Sequence, residues 1–189
     1  MRFQAFGLIL AMAASGCVVA PDAPGKGRAV PVLEGAVQVG LPRGFCADPR
    51  SGGETVDTAV VIMGRCPGET RATPAVVTVT VGVPGSAGVM TADGRELAAF
   101  FTSPQGKATL ASTGRPGDVL LRTALSVDDA FVMQLEERGT GPYWRAVLGL
   151  KGRLVTVSVR GGPGMDLPTE QGRDLLDATL LALRRANAG

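Results

Sequence analysis

Histidine is absent from all 189 residues. That removes the Ser-His-Asp and Cys-His arrangements, histidine-ligated metals and the commonest general base near neutral pH. No Ser-x-x-Lys occurs, so that alternative nucleophile pair is missing as well. Aromatic residues make up only 4% of the chain, with one Trp and one Tyr, so the core must be built mainly from Val, Leu and Ala. Charge of one sign is not concentrated anywhere: 19 Lys and Arg face 17 Asp and Glu, with no basic run and no aromatics interleaved among arginines. Nucleic-acid binding is therefore not expected. Beyond the first sixteen residues, no stretch is long and apolar enough to span a bilayer.

Hydrophobic residues at 45% and charged residues at 19% describe a chain able to bury a core. The length suits one ordinary domain, and Gly 27 with Pro 13 fits many turns between short strands. At the start, Arg2 precedes an apolar stretch from Phe6 to Ala14 and then small residues. This is the layout of a secretory signal peptide over residues 1–16, too short for a transmembrane span. The junction Ala14-Ser15-Gly16-Cys17 resembles a bacterial lipobox, although Ala14 stands where Leu is usual. The resemblance implies cleavage before Cys17, diacylglycerol on its thiol and commonly an acyl group on its amine. Two or more chains, at about 0.8 kcal/mol per buried CH₂, anchor durably. The chain is thus expected on a bacterial membrane, facing the periplasm. Val18, rather than Asp, after the lipid cysteine points to the outer membrane.

Three cysteines in an exported chain leave an odd one to explain. Lipid on Cys17 accounts for it and leaves Cys46 and Cys66 as a pair. A disulfide suits the oxidising periplasm, and closing a loop of about twenty residues is worth roughly 3 kcal/mol. Two cysteines without histidine make a poor zinc site. No metal or other cofactor is expected.

Residues 17–31 are rich in Pro and Gly, lack a hydrophobic period and read as a tether. A single domain is expected over 32–189. Period-2 alternation dominates it. Strands are expected from Val37 to Leu41-Pro42 and at Ala59–Met63, Val77–Val83, Val119–Leu125 and Phe131–Glu137, with a loop at Asp48–Gly53. A hairpin follows, turning at Lys151-Gly152. In it Trp144, Ala146 and Leu148 share a face, as do Val155, Val157 and Val159, while Thr156, Ser158 and Arg160 point the other way. Asp93 and Glu96 form a capping pair for a short helix through Leu97, Phe100 and Phe101, stopped by Ser103-Pro104. A last helix from Thr169 to Ala186 carries Leu176, Leu180 and Leu183 on one face. Together these predict an α+β fold: an antiparallel sheet of about six or seven strands, a short middle helix, and a C-terminal amphipathic helix packed on the sheet.

The run Val39-Gly40-Leu41-Pro42-Arg43-Gly44-Phe45, the Trp144–Val159 hairpin and the helix ending Leu183-Arg184-Arg185-Ala186-Asn187 resemble the layout of the PsbP-like fold. That resemblance implies accessory and binding roles, with no catalytic residues to carry over.

The remaining candidates for chemistry are few. Asp48, Glu54 and Asp57 crowd the loop closed by the Cys46–Cys66 pair and offer a hard-cation or acid/base site, but their spacing matches no EF-hand. Asp128-Asp129 reads as a turn. Gly161-Gly162-Pro163-Gly164 lacks the Lys-Ser/Thr of a P-loop and reads as a connection. Trp144 belongs to the core, and Tyr143 faces the opposite way. The function expected is a lipid-anchored, non-catalytic accessory or binding module with an envelope protein partner. The alternatives are a carboxylate-dependent hydrolase of envelope material, acting through Asp48, Glu54 or Asp57, and a purely structural envelope component.

Overall fold

The computed structural model describes residues 28–189. Residues 1–27, and with them the signal segment, Cys17 and most of the expected tether, lie outside the described residues. The described chain opens with a hairpin, β1 (Ala29–Val32) and β2 (Val37–Gly40). Ala29–Pro31, expected at the end of the tether, are therefore strand. Leu33, Glu34 and Gly35, all at positive φ, turn the hairpin.

Two antiparallel meanders make the main sheet. The first is β3 (Phe45–Glu54), β4 (Ala59–Arg65) and β5 (Ala75–Pro84); the second is β6 (Val119–Val127), β7 (Ala130–Glu137), β8 (Gly141–Leu150) and β9 (Arg153–Gly161). They join through β5 and β9, giving the order β3-β4-β5-β9-β8-β7-β6 with every pair antiparallel. Between the meanders lie a 3₁₀ turn at Ser86–Thr91, α1 (Gly94–Thr102) and α2 (Pro104–Leu110); α3 (Thr169–Asn187) closes the chain. The α+β class and the C-terminal helix are as expected.

Two local expectations are corrected. Asp48–Gly53 is not a free loop but the bulged middle of β3, where the register shifts between Ala47 and Gly52. Pro49 has no N–H for the ladder, and the Asp48 carboxylate accepts the Arg50 N–H and the Ser51 hydroxyl, replacing ladder bonds with a local turn. The middle helix is two helices. Asp93 and Glu96 cap α1 reciprocally, as expected. Ser103-Pro104 then ends α1 and starts α2, with the Ser103 hydroxyl as N-cap and Pro104 in the first turn.

One face of the sheet is dry. Val77, Val79, Val81, Val155, Val157 and Val159 share one core with Leu176, Leu180 and Leu183 of α3 and with Val37 and Val39 of β2, all of them buried. Trp144 seats the helix: its indole N–H donates to the Thr169 carbonyl at 2.8 Å, and a Cβ on Gly172 would stand 2.9 Å from its ring. Gly40 lets β2 pass under the other end of α3, where a Cβ would lie 2.1 Å from the Ala182 carbonyl oxygen. Beside it, Asn187 bonds both backbone groups of Gln38. On the opposite face, Phe131, Met133, Leu135, Tyr143 and Val147 are buried with Leu97 of α1, Leu110 at the end of α2 and Ala111 just after it.

Candidate functional site

The register on that opposite face sets out the site. One row runs Ile62, Thr78, Ser158, Arg145, Met133 across five strands. The next runs Val60, Thr80, Thr156, Val147, Phe131. Each row spans about 19 Å. At one end Met133 and Phe131 lie under the short helices; at the other, Ile62, Val60 and Thr78 are partly exposed and Thr80 is exposed. Half of this face is core and half is an open shelf of β-branched side chains.

Charged groups occupy the boundary between the halves. Arg145 donates through Nε to Ser158 Oγ and through Nη1 to the Leu110 carbonyl at the end of α2, each at 3.1 Å. Arg160 sits 5.2 Å and Arg145 5.4 Å from the centre of the Tyr143 ring, within the range of cation–π attraction. Glu137 is 4% exposed. One of its oxygens accepts the Ser112 N–H at 2.6 Å and the other takes the Tyr143 hydroxyl at 3.4 Å. Burial alone would push this carboxyl up, but the bonds from Ser112 and the charges of Arg145 and Arg160 outweigh it and hold the group below its ordinary value. Burial, aided by Glu137, pushes the Tyr143 phenol up against the two arginines. Glu137 is therefore a resident anion and Tyr143 a neutral donor at physiological pH.

Arg145 is tied to Ser158 and to the Leu110 carbonyl, whereas Arg160 donates no side-chain hydrogen bond among the described residues. Among the described residues no carboxylate stands within ion-pair distance of it. It lines a cleft of about 390 Å³ at the end of the sheet, together with Val76, Thr140, Pro142 and the Gly161–Leu167 connection. Chemically this arrangement binds and orients. A guanidinium on an aromatic platform is suited to an acidic group, and the shelf beside it offers hydroxyls and methyls.

The sequence candidates fall elsewhere. Asp48 is held below its usual range, chiefly by the Ser51 hydroxyl and then by the Arg50 N–H. Glu54 accepts the Leu33 N–H at 2.9 Å, and the Asp57 carbonyl, not its carboxylate, takes Arg153. The three carboxylates are not gathered on a common point. Among the described residues no three acidic or thiol side chains group around a metal-sized space. Cys46 and Cys66 are joined by a disulfide. Asp128 and Asp129 form the β6–β7 turn and both pair with Arg184. Gly161–Gly164 connects β9 to α3, and Trp144 is core.

Arg145 and Glu137 were missed as site residues. Alternation from Tyr143 places Arg145 on the same face, but the Glu137 contact joins separate strands and the loop after α2, which no local pattern signals. No family model matches this chain, and no curated protein or solved structure matches it either.

Proposed function

We propose that this is an envelope lipoprotein, lipid-anchored at Cys17, working as a non-catalytic accessory or binding module whose contact surface is the open half of the sheet. The observation that carries the reading is Arg160, a partly exposed guanidinium with no carboxylate within ion-pair distance among the described residues, set beside the Thr78–Thr80–Thr156 shelf. Shelf and arginine together favour a partner segment presenting an acidic group. The lipobox, the exported-protein cysteine pattern and the PsbP-like element order point the same way.

Photocrosslinking in intact cells tests it. A crosslinker at Thr80 is expected to give one or two discrete envelope products, and one at Ala178, on the outer side of α3, none. Arg160→Glu should remove the Thr80 products while leaving the chain folded, and mass spectrometry of the membrane-purified protein should find lipid on Cys17. Equal products from both positions, or none from Thr80, would remove the binding surface; an unlipidated mature chain would remove the anchor.

A further inference from the structure

We infer that the corner of the domain bearing Arg28, Arg43, Arg65 and Arg71 docks on the anionic headgroups of the membrane that holds the lipid anchor. This rests on the reading of Cys17 as lipidated. Four strand-end and loop positions converge there. Phe45 pairs with Arg65 and Cys46 with Gly64, so the start of β3 lies against the end of β4. The disulfide ties Cys46 to Cys66, and the Cys66 N–H donates to the Gly44 carbonyl. Arg28 reaches the same point, donating to Cys46 Sγ at 3.2 Å and to Cys66 Sγ at 3.7 Å. The following turn folds back on itself, with the Glu69 N–H on the Cys66 carbonyl and the Arg71 N–H on the Glu69 carboxylate.

All four arginines are exposed, and none has a carboxylate within ion-pair distance among the described residues. Against them stands Glu69, kept ionised first by the Arg71 N–H, with Arg43 adding its charge. Four guanidiniums face one carboxylate, a local excess of three positive charges in a chain whose net charge is +2. Asp48 and Arg50, next along β3, add one charge of each sign. The rest of the surface is correspondingly neutral to acidic.

Position decides the partner. The described chain begins at Arg28, in this corner, and Cys17 lies eleven residues before it. A chain of that length reaches at most about 40 Å, so the corner is the part of the domain held nearest the lipid. Basic side chains are attracted to an anionic leaflet over about a Debye length. The anchor supplies the high local concentration that lets a few such charges suffice. Docked this way, the domain has a preferred orientation on the bilayer instead of tumbling above it.

The test uses the full lipidated chain, purified from membranes and placed in vesicles of phosphatidylcholine alone or mixed with phosphatidylglycerol. Amide hydrogen exchange over residues 64–72 is the readout. Phosphatidylglycerol should slow exchange there several-fold, with β5 and β9 unchanged. Salt at about 1 M, where the Debye length shrinks to about 3 Å, should erase the difference. The triple variant Arg43→Gln, Arg65→Gln, Arg71→Gln should behave in both vesicles like the parent in phosphatidylcholine. Equal exchange in the two vesicles, on a chain shown by mass to carry lipid at Cys17, overturns docking alone. A chain without that lipid overturns docking and anchor together. The salt comparison on the parent chain stands even if the variant fails to fold.

Discussion

The two halves of the sheet face opposite α3 share rows and register, yet only one is core. Met133 and Phe131 are sealed, whereas Ile62 and Val60, in the same rows, remain partly exposed. The difference comes from the connection between the two meanders. Within residues 85–118, α1 and α2 lie over β6, β7 and β8, and the 3₁₀ turn at Ser86–Thr91 sits on the hairpin end of β8 and β9 beside Gly82 of β5, which leaves β4 and most of β5 and β9 uncovered. A half-covered sheet is a scaffold with a surface to spare. The residues on the spare half are valine, isoleucine and threonine, which suit a pleated strand whether or not something lies on it.

The largest effect should come from the fully covered face. Leu180→Ala empties the centre of the α3 contact, where Leu180 is 1% exposed, and is expected to cost about 2–5 kcal/mol. Denaturant unfolding checks it. A loss under about 1 kcal/mol would mean that α3 repacks and is not the principal lid.

A smaller effect is expected at the boundary between the halves. Glu137→Gln keeps the shape but removes the anion facing Arg145 and Arg160, and should cost about 1–3 kcal/mol at neutral pH. Because the folded carboxyl titrates below its ordinary value of 4.5, its contribution is full above that pH and is lost as pH falls through the depressed value. Asp118, also held low, chiefly by the Thr113 hydroxyl and then by Arg115, acts in the same direction. Stability of the parent should therefore fall in acid below the ordinary carboxylate range, and the Gln variant should fall less steeply. Identical acid limbs would remove Glu137 from the account.

Much of this was legible in the sequence, because period-2 alternation survives wherever one face is dry. Val77, Val79 and Val81 against Thr78 and Thr80 announce both the buried face of β5 and its open one, and the Leu176–Leu180–Leu183 stripe announces the lid. The capping pair Asp93 and Glu96 sets the start of α1 without tertiary help. What stayed hidden depends on contacts between distant segments. Pro104 reads as a stop, yet the Ser103 cap and Pro104 in the first turn also start α2, whose Leu110 is buried in the core over this face. The bulge in β3 looks like a loop because the Asp48 carboxylate, braced by the Ser51 hydroxyl, takes the Arg50 N–H locally. The Glu137–Tyr143–Arg160 cluster draws on three strands, and no spacing along the chain encodes it.

The smallest effect is the most informative about the open half. Thr80 is exposed, and its neighbour Val79 is fully buried on the α3 face. Val79→Thr places a hydroxyl in a dry core and should cost about 1–3 kcal/mol. Thr80→Val trades a hydroxyl for a methyl on a solvated strand and should change stability by less than about 0.5 kcal/mol. Consecutive residues would thus differ several-fold in the cost of the same exchange of atoms, in opposite directions. Thermal unfolding of both variants, as purified chain, checks this. Should Thr80→Val instead shift stability as strongly as Val79→Thr, with the shift depending on protein concentration, the shelf would be buried against a second copy of the chain. A shift of that size independent of concentration would mean that residues of the same chain before Arg28 lie on it. Either result would replace the free shelf as the binding surface, whereas a flat response leaves Arg160 and its threonines open to a partner.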